Sequence, residues 1–323
     1  MLIARRELND RGTSDGQIRG LLHRGEWVTV RSGFYITRDD WEASTLPGAR
    51  ESLQVIAAHH SLVEPHAVSH TSAALLLGFP FLRPRRPLVH VTKLKGPRTR
   101  IRSGIKHHQA RCLVPLTRVV GGIPVLSQAR TALDIAREDG FAAGVAVIDA
   151  VRHHGTSLEE LDRLLQQMWK WPFVTTARDA VAFSCSGAES IGESLTRILI
   201  DELDLGLPIE VQFELRDRTG RARCDLRVGR HVFEFDGATK YRLPARGGVA
   251  SVDPDQVLMA EKYRQDWVCG FQLGMSRIVW DDLWGLRRER TKIRLRREYA
   301  ATVARYGTDI SDLAPYRVHR RAS

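Results

Sequence analysis

The chain has 323 residues, 43% of them hydrophobic and 27% charged, an ordinary globular composition with length for about two domains. Its longest apolar runs, such as Ala73–Leu77, fall far short of the roughly 20 residues that span a bilayer. The N-terminal MLIARRELND has no apolar signal core, and Cys112, Cys185, Cys224 and Cys269 form no CxxC pair, which excludes a disulfide framework and a zinc ribbon. A cytoplasmic, reduced protein is the expectation.

Charge is segregated along the chain. The overall balance is +11, a value typical of proteins that meet polyanions. Residues 1–64 carry a net −1, residues 65–133 a net +12 with no carboxylate at all, residues 134–282 a net −7, and residues 283–323 a net +7. A carboxylate-free stretch of 69 residues is hard to read as a mixed solvated face. It points to nucleic acid or to an acidic protein partner.

Taken in chain order, residues 1–37 predict a small helical unit running into a hairpin. Leu2, Ile3 and Leu8 make a first apolar stripe, and Thr13-Ser14-Asp15 offers an N-cap for a second helix carrying Ile18, Leu21 and Leu22. Trp27–Val30 alternates as a strand, and Ser32-Gly33 turns it into Phe34–Ile36. Helix, turn, helix and two-stranded wing is a DNA-reading order, with a plain packing module as the alternative. Residues 50–77 read as two helices, the second starting at Ser69, and Phe81–Val125 as a basic β-rich segment with strands at Val89–Thr92 and Ile101–His108. Helices follow at Ser127–Arg137, Ala142–Arg152 and Ser157–Trp169, and Trp169–Thr176 reads as a linker. Beyond it come a helix over Gly187–Glu202, strands at Glu210–Arg216, Arg223–Val228 and His231–Phe235, a loop from Arg242 to Pro254, a helix over Gln256–Trp267, a strand at Ser276–Trp280 and a basic helix at Leu286–Tyr299.

The hairpin is where chemistry follows from register. If Gly229-Arg230 is a two-residue turn, Val228 faces His231, Leu226 faces Phe233, and Asp225 faces Glu234. Cys224, Leu226, Phe233 and Phe235 then share a core face, while Arg223, Asp225, Glu234 and Asp236 share the other. Like charges directly opposite destabilise a sheet, so the pair calls for a compensating cation. Asp225 and Glu234 are hard oxygen donors suited to Mg²⁺ or Mn²⁺, with a solvated polar face as the alternative. Glu189 and Glu193, four apart on a helix, either face this hairpin or form an exposed stripe. The adjacent pairs His59-His60, His107-His108 and His153-His154 do not have ligand spacing and are not read as metal sites. Walker, GxGxxG and GxSxG motifs are absent.

RGEWVTVRSGFY at Arg24–Tyr35 resembles the winged-helix domain of AbiEi-type antitoxins of type IV toxin–antitoxin systems. AVSHTSAALLLG at Ala67–Gly78 and GIPVLSQARTALDIAR at Gly122–Arg137 resemble the middle part of the same proteins. SGAES, RCDLRV, VFEFDGATKY, AEKYRQDW and SRIVWDDL are similar to a very-short-patch-repair-like, PD-(D/E)XK restriction-endonuclease-like domain. The resemblance implies an α/β chain, α+β overall. It consists of a winged helix over 1–45, a basic α/β middle over 50–168, a nuclease-like α/β domain over 180–300 and a basic tail over 301–323. It also implies acidic site positions at Glu189, Asp225 and Glu234. The wider pattern has lysine two residues after the glutamate; here Asp236 stands there, and Lys240 and Lys262 are the candidate substitutes.

The expected function is therefore a DNA-binding regulator of the antitoxin type. An Mg²⁺-dependent endonuclease and a non-enzymatic protein that neutralises a cognate toxin are the alternatives. Gln17, Arg19 and Arg24 on the second helix would read bases, and Arg31 on the wing would meet phosphate or the minor groove. Arg85, Arg86, Lys93, Lys95, Arg98 and Arg100 would supply phosphate contacts in the basic stretch.

Overall fold

The computed structural model describes residues 2–93, 99–110, 117–237 and 254–318, with the backbone alone at 254–258 and 260. Lys95, Arg98, Lys240, Cys112 and the predicted loop up to Asp253 lie outside the described residues. The fold is mixed α/β and divides into two compact units, Met1–Phe183 and Ser184–Ser323. Among the described residues no helix is long and apolar enough to cross a membrane.

The first unit opens with β1 (Ile3–Ala4), α1 (Arg5–Asp10), α2 (Asp15–His23), β2 (Trp27–Arg31) and β3 (Phe34–Thr37). Leu2 and Ile3 thus precede the first helix, and Ile3 pairs with Tyr35 at the edge of a three-stranded sheet ordered β1-β3-β2. Ser14 caps α2 through a reciprocal box: its Oγ accepts the Gln17 N–H, and Gln17 Oε1 accepts the Ser14 N–H at 2.7 Å. Ile18 on the opposite face of α2 is buried with Leu8 and Tyr35. After α3 (Arg38–Ala43), α4 (Ala49–His60) packs Leu53 and Ala57 onto Val30, Phe34 and Ile36.

β4 (Ala67–Val68), α5 (His70–Leu77), β5 (Val89–Lys93), β6 (Arg100–Arg102), β7 (Ile105–Gln109), β8 (Thr117–Val120) and β9 (Ile123–Leu126) follow. They build a six-stranded sheet in the order β6-β7-β5-β4-β9-β8, in which β5–β7 and β4–β9 are parallel. All five residues of β5 are buried, as expected of a central strand covered on both faces. Val89 and Val91 join Val68, Ile105 and Val125 in one core, which leaves His90 and Thr92 on the other face. α6 (Gln128–Asp139), α7 (Phe141–His153), α8 (Leu158–Gln167) and α9 (Val174–Phe183) complete the unit. The expected linker at Trp169–Thr176 is instead a turn leading into α9, whose Val174, Ala177, Ala180 and Val181 are buried. The break between units falls after Phe183.

The second unit runs α10 (Ile191–Asp201), β10 (Glu210–Arg216), β11 (Arg221–Val228), β12 (His231–Asp236), α11 (Pro254–Gly270), β13 (Gly274–Val279) and α12 (Gly285–Tyr306), with short 3₁₀ turns at Trp280–Leu283 and Ser311–Tyr316. The sheet order is β10-β11-β12-β13, antiparallel in the meander and parallel where α11 carries the chain from β12 to β13. The expected hairpin register holds for Val228↔His231, Arg227↔Val232 and Leu226↔Phe233. It does not continue to Asp225, because the alternation of β10 and β11 resets there. Gln212 adopts φ 56°, and the Gln212–Asp225 pair drops out of the ladder. Cys224 therefore packs with Val232 and Phe213, not with Phe235. Residues 301–318 are not a free tail. Leu313 enters the same core, Arg230 donates to the Asp309 carbonyl and pairs with Asp312, and Arg317 pairs with Glu210 at 2.7 Å.

Phe235 lies against α10 at Gly192, where an added methyl would overlap its ring. On an open helix face Gly→Ala would stabilise by about 1 kcal/mol, so the sign of the effect is diagnostic. Gly192→Ala should destabilise the protein by about 1–3 kcal/mol, the cost of overpacking. The check is its denaturant midpoint against wild type, and a midpoint unchanged or raised would contradict this packing.

Candidate functional site

Four carboxylates gather where α10 meets β10–β12. Ser190 caps α10 and fixes the first of them: its Oγ accepts the Glu193 N–H and donates to Glu193 Oε1 at 2.8 Å. Glu193 Oε2 accepts the Glu189 N–H at 2.9 Å and the Gln212 side-chain amide at 2.8 Å. The reset at Gln212 thus delivers its amide to the helix. Asp225, across from Gln212, accepts the Phe235 N–H at 2.8 Å. Glu189, at the foot of α10, receives Arg223 at 2.6 Å. Glu234 is buried on β12 and pairs with Arg264, which also donates to the Arg223 carbonyl at 3.0 Å.

Burial dominates the electrostatics. Desolvation pushes the Glu193 and Glu234 carboxyls above their ordinary pKa, and the negative charge of Asp225 adds to both shifts. Arg264 and, for Glu193, the donated hydrogen bonds oppose this without cancelling it. Cys224, buried beside Glu234, has its thiol pKa pushed up by burial and by that carboxylate. The cation that answers the Asp225–Glu234 repulsion is the guanidinium of Arg264, held from the other side by Glu261 at 3.2 Å. One oxygen of the cluster, Glu234 Oε1, is buried with no hydrogen-bond partner among the described residues.

Glu189, Asp225 and Glu234 are therefore brought to one region, joined by Glu193. Lys262 is exposed on α11, while Glu261 and Arg264 are half-buried. Asp236 sits half-buried at the end of β12, in register with Val279. Arg264 was not anticipated as a site residue. Its signal is the helical spacing of Glu261, Arg264, Gln265 and Val268, which share the sheet-facing side of α11.

In the first unit the expected DNA contacts divide. Arg19 is exposed on α2, and Arg85, Arg86 and Arg100 are exposed around the six-stranded sheet. Gln17 has its carbonyl engaged in the α2 cap, Arg24 pairs with Glu26, and Arg31 donates to the Ser103 carbonyl. Lys93 is buried and paired with Glu64 at 2.6 Å. Its charge is matched within the chain. The carboxylate-free stretch draws partners from its flanks: Arg83 pairs with Glu51, Lys106 with Glu138, and Arg130 with Asp134 at 2.8 Å.

No protein-family model and no curated protein sequence matches the chain. Among solved structures, the crystal structure of the RV2827C protein from Mycobacterium tuberculosis is similar over 61% of this chain and 75% of that one, at 15% identity and a TM-score of 0.38.

The raised carboxyl of Glu193 sets a pH signature. The native state binds this proton more tightly than the unfolded chain, so the cost of the buried charge is present above the native pKa. That cost fades as pH falls toward the ordinary glutamate value. Wild type should therefore gain stability relative to Glu193→Gln between pH 7 and pH 5, measured by denaturant unfolding at each pH. A difference that stays constant, or moves the other way, would contradict the burial of a charged Glu193.

Proposed function

We propose that the chain is a double-stranded DNA-binding protein of the regulator type. In this reading residues 2–37 are the reading head and the second unit is a nuclease-like scaffold that does not cut. The observation that carries the reading is the β1–α1–α2–β2–β3 order, in which α2 buries Ile18 and presents Arg19 outward beside a two-stranded wing. Arg85, Arg86 and Arg100 extend a basic surface on the same unit, and such contacts hold phosphates without reading sequence. Arg19 is the base-reading candidate, since a guanidinium suits the acceptor edge of guanine. The resemblance to AbiEi-type antitoxins supports the same reading and adds a cognate toxin as a second partner.

The carboxylate centre does not fit a preformed Mg²⁺ or Mn²⁺ site. Arg264 holds Glu234, the Phe235 N–H engages Asp225, and Arg223 engages Glu189. A guanidinium at Glu234 supplies the neutralisation that a divalent ion would otherwise provide. The endonuclease reading keeps one observation in its favour, Glu234 Oε1, which has no hydrogen-bond partner among the described residues.

The test is fluorescence anisotropy of the full chain on duplexes selected from a random library. Arg19→Ala should weaken binding to the selected duplex by about tenfold, about 1.4 kcal/mol, and leave random duplex nearly unchanged. Substituting Arg85 and Arg86 together by alanine should weaken both alike. Equal losses for Arg19→Ala on both duplexes would remove the reading head. Plasmid incubated with the protein and Mg²⁺ or Mn²⁺ should stay intact, and nicking abolished by Asp225→Ala would replace the regulator reading with the endonuclease.

A further inference from the structure

The six-stranded sheet gathers three histidines that are far apart in sequence. His90 sits on β5, on the face away from Val89 and Val91. His108 sits on β7, where parallel pairing sets Thr92 beside it and Lys106 beside His90, so both rings leave the same face. His70 is the first residue of α5, and the Ser69 N–H donates to the His90 carbonyl at 3.0 Å, which fixes the start of that helix over the strand. His70 also holds a left-handed φ of 52°, a backbone strain that tends to collect at functional sites. One nitrogen from each of the three rings lies within 4.8 Å of the others. His90 Nδ1 and His108 Nε2 are 3.0 Å apart, and the His70 and His108 rings stack at 3.8 Å between centroids. Adjacent-residue spacing conceals this cluster, because only one member of the His107-His108 pair takes part.

We propose that His70, His90 and His108 form a binding site for a divalent transition metal ion of the zinc class, with an open position that takes an anion. Three neutral imidazoles are the donor set that borderline ions such as Zn²⁺ prefer, and three protein ligands leave a fourth position free. His70 and His90 are buried and His108 is half-buried, an environment that favours uncharged imidazoles as donors. At metal–nitrogen distances of about 2.0–2.1 Å, tetrahedral ligands lie roughly 3.3 Å apart. The His90–His108 pair is already that close, and the widest pair has to contract by at most about 1.5 Å.

The surroundings favour an anion at the open position. His70 and His108 line a cavity of about 900 Å³ together with Arg130, Asp134, Arg137 and Trp171. Asp134 is fully buried and bonds both arginines, at 2.8 and 2.9 Å, and both guanidiniums lie over the Trp171 ring. That triad carries a net positive charge. A bare dication beside it would be repelled, whereas a metal carrying hydroxide, carboxylate or phosphate would be balanced. The histidines supply the metal, and Arg130 and Arg137 supply the anion preference.

The experiment is metal titration of the chelator-treated full chain, using Co²⁺ as a spectroscopic probe and Zn²⁺ by calorimetry. One equivalent should bind, with the visible absorption of low-coordinate Co²⁺ bound to nitrogen ligands, and inorganic phosphate should change that spectrum. His90→Ala and His108→Ala should each lower the affinity at least tenfold. His59→Ala, which breaks a separate 2.9 Å contact between His59 and His66, should not. Failure of the wild-type chain to bind one equivalent overturns the site irrespective of how the variants fold, and so does loss of binding in His59→Ala alone. A Co²⁺ spectrum blind to phosphate overturns the anion position.

Discussion

Taking an ionised group out of water costs several kcal/mol unless a partner of opposite charge or several hydrogen bonds come with it, and this constraint shapes both units. In the first, Asp134 is fully buried on α6 and is bracketed by Arg130 and Arg137 one turn to either side. In the second, Glu193 is satisfied by a helix cap and the amide of Gln212, and Glu234 by Arg264. Burial still raises the pKa of both carboxyls, and among the described residues Glu234 Oε1 is left without a hydrogen-bond partner. The backbone yields to the same requirement: the left-handed Gln212 interrupts a strand pair and brings an amide to the buried glutamate.

The constraint also decides how much of the positive charge is available to a ligand. Carboxylates outside residues 65–133 neutralise Arg83, Lys93, Lys106 and Arg130, so part of the segregated charge is matched within the chain. Among the described residues of that segment, the exposed arginines not paired in this way, Arg85, Arg86, Arg100, Arg102 and Arg118, lie on the loop before β5 and on both edge strands of the sheet. The basic helix α12 is similarly engaged: Arg288 and Lys292 hold Glu202, and Arg294 holds Asp282 and Glu298. Much of its charge ties the helix to its own unit.

Features encoded by neighbouring residues were legible in the sequence. The turn at Gly229-Arg230 set the hairpin register, and the Ser14 cap marked the start of α2. The α/β order of the second unit followed from short runs of alternating residues. Features built from distant residues were not legible. The reset at Gln212 and Asp225 answers to Glu193, which lies about twenty residues earlier. The sequence suggested a divalent cation beside Asp225 and Glu234, whereas the guanidinium found at Glu234, that of Arg264, depends on how α11 packs. The histidine cluster joins three separate elements, and Trp169–Thr176 reads as a linker because of its aromatic and proline residues, which hide the start of α9 at Val174. The C-terminal segment looks like a basic tail until Leu313 is seen in the core.

The most direct test of the account is the salt dependence of duplex binding by the full chain. If about six of the exposed cations neutralise phosphates, the logarithm of the binding constant should fall with the logarithm of salt at a slope near −5. That slope would show that enough cations remain after the internal pairing to hold DNA. A slope near zero, or no binding at about 50 mM salt where such contacts are strong, would contradict the proposal that this chain binds DNA.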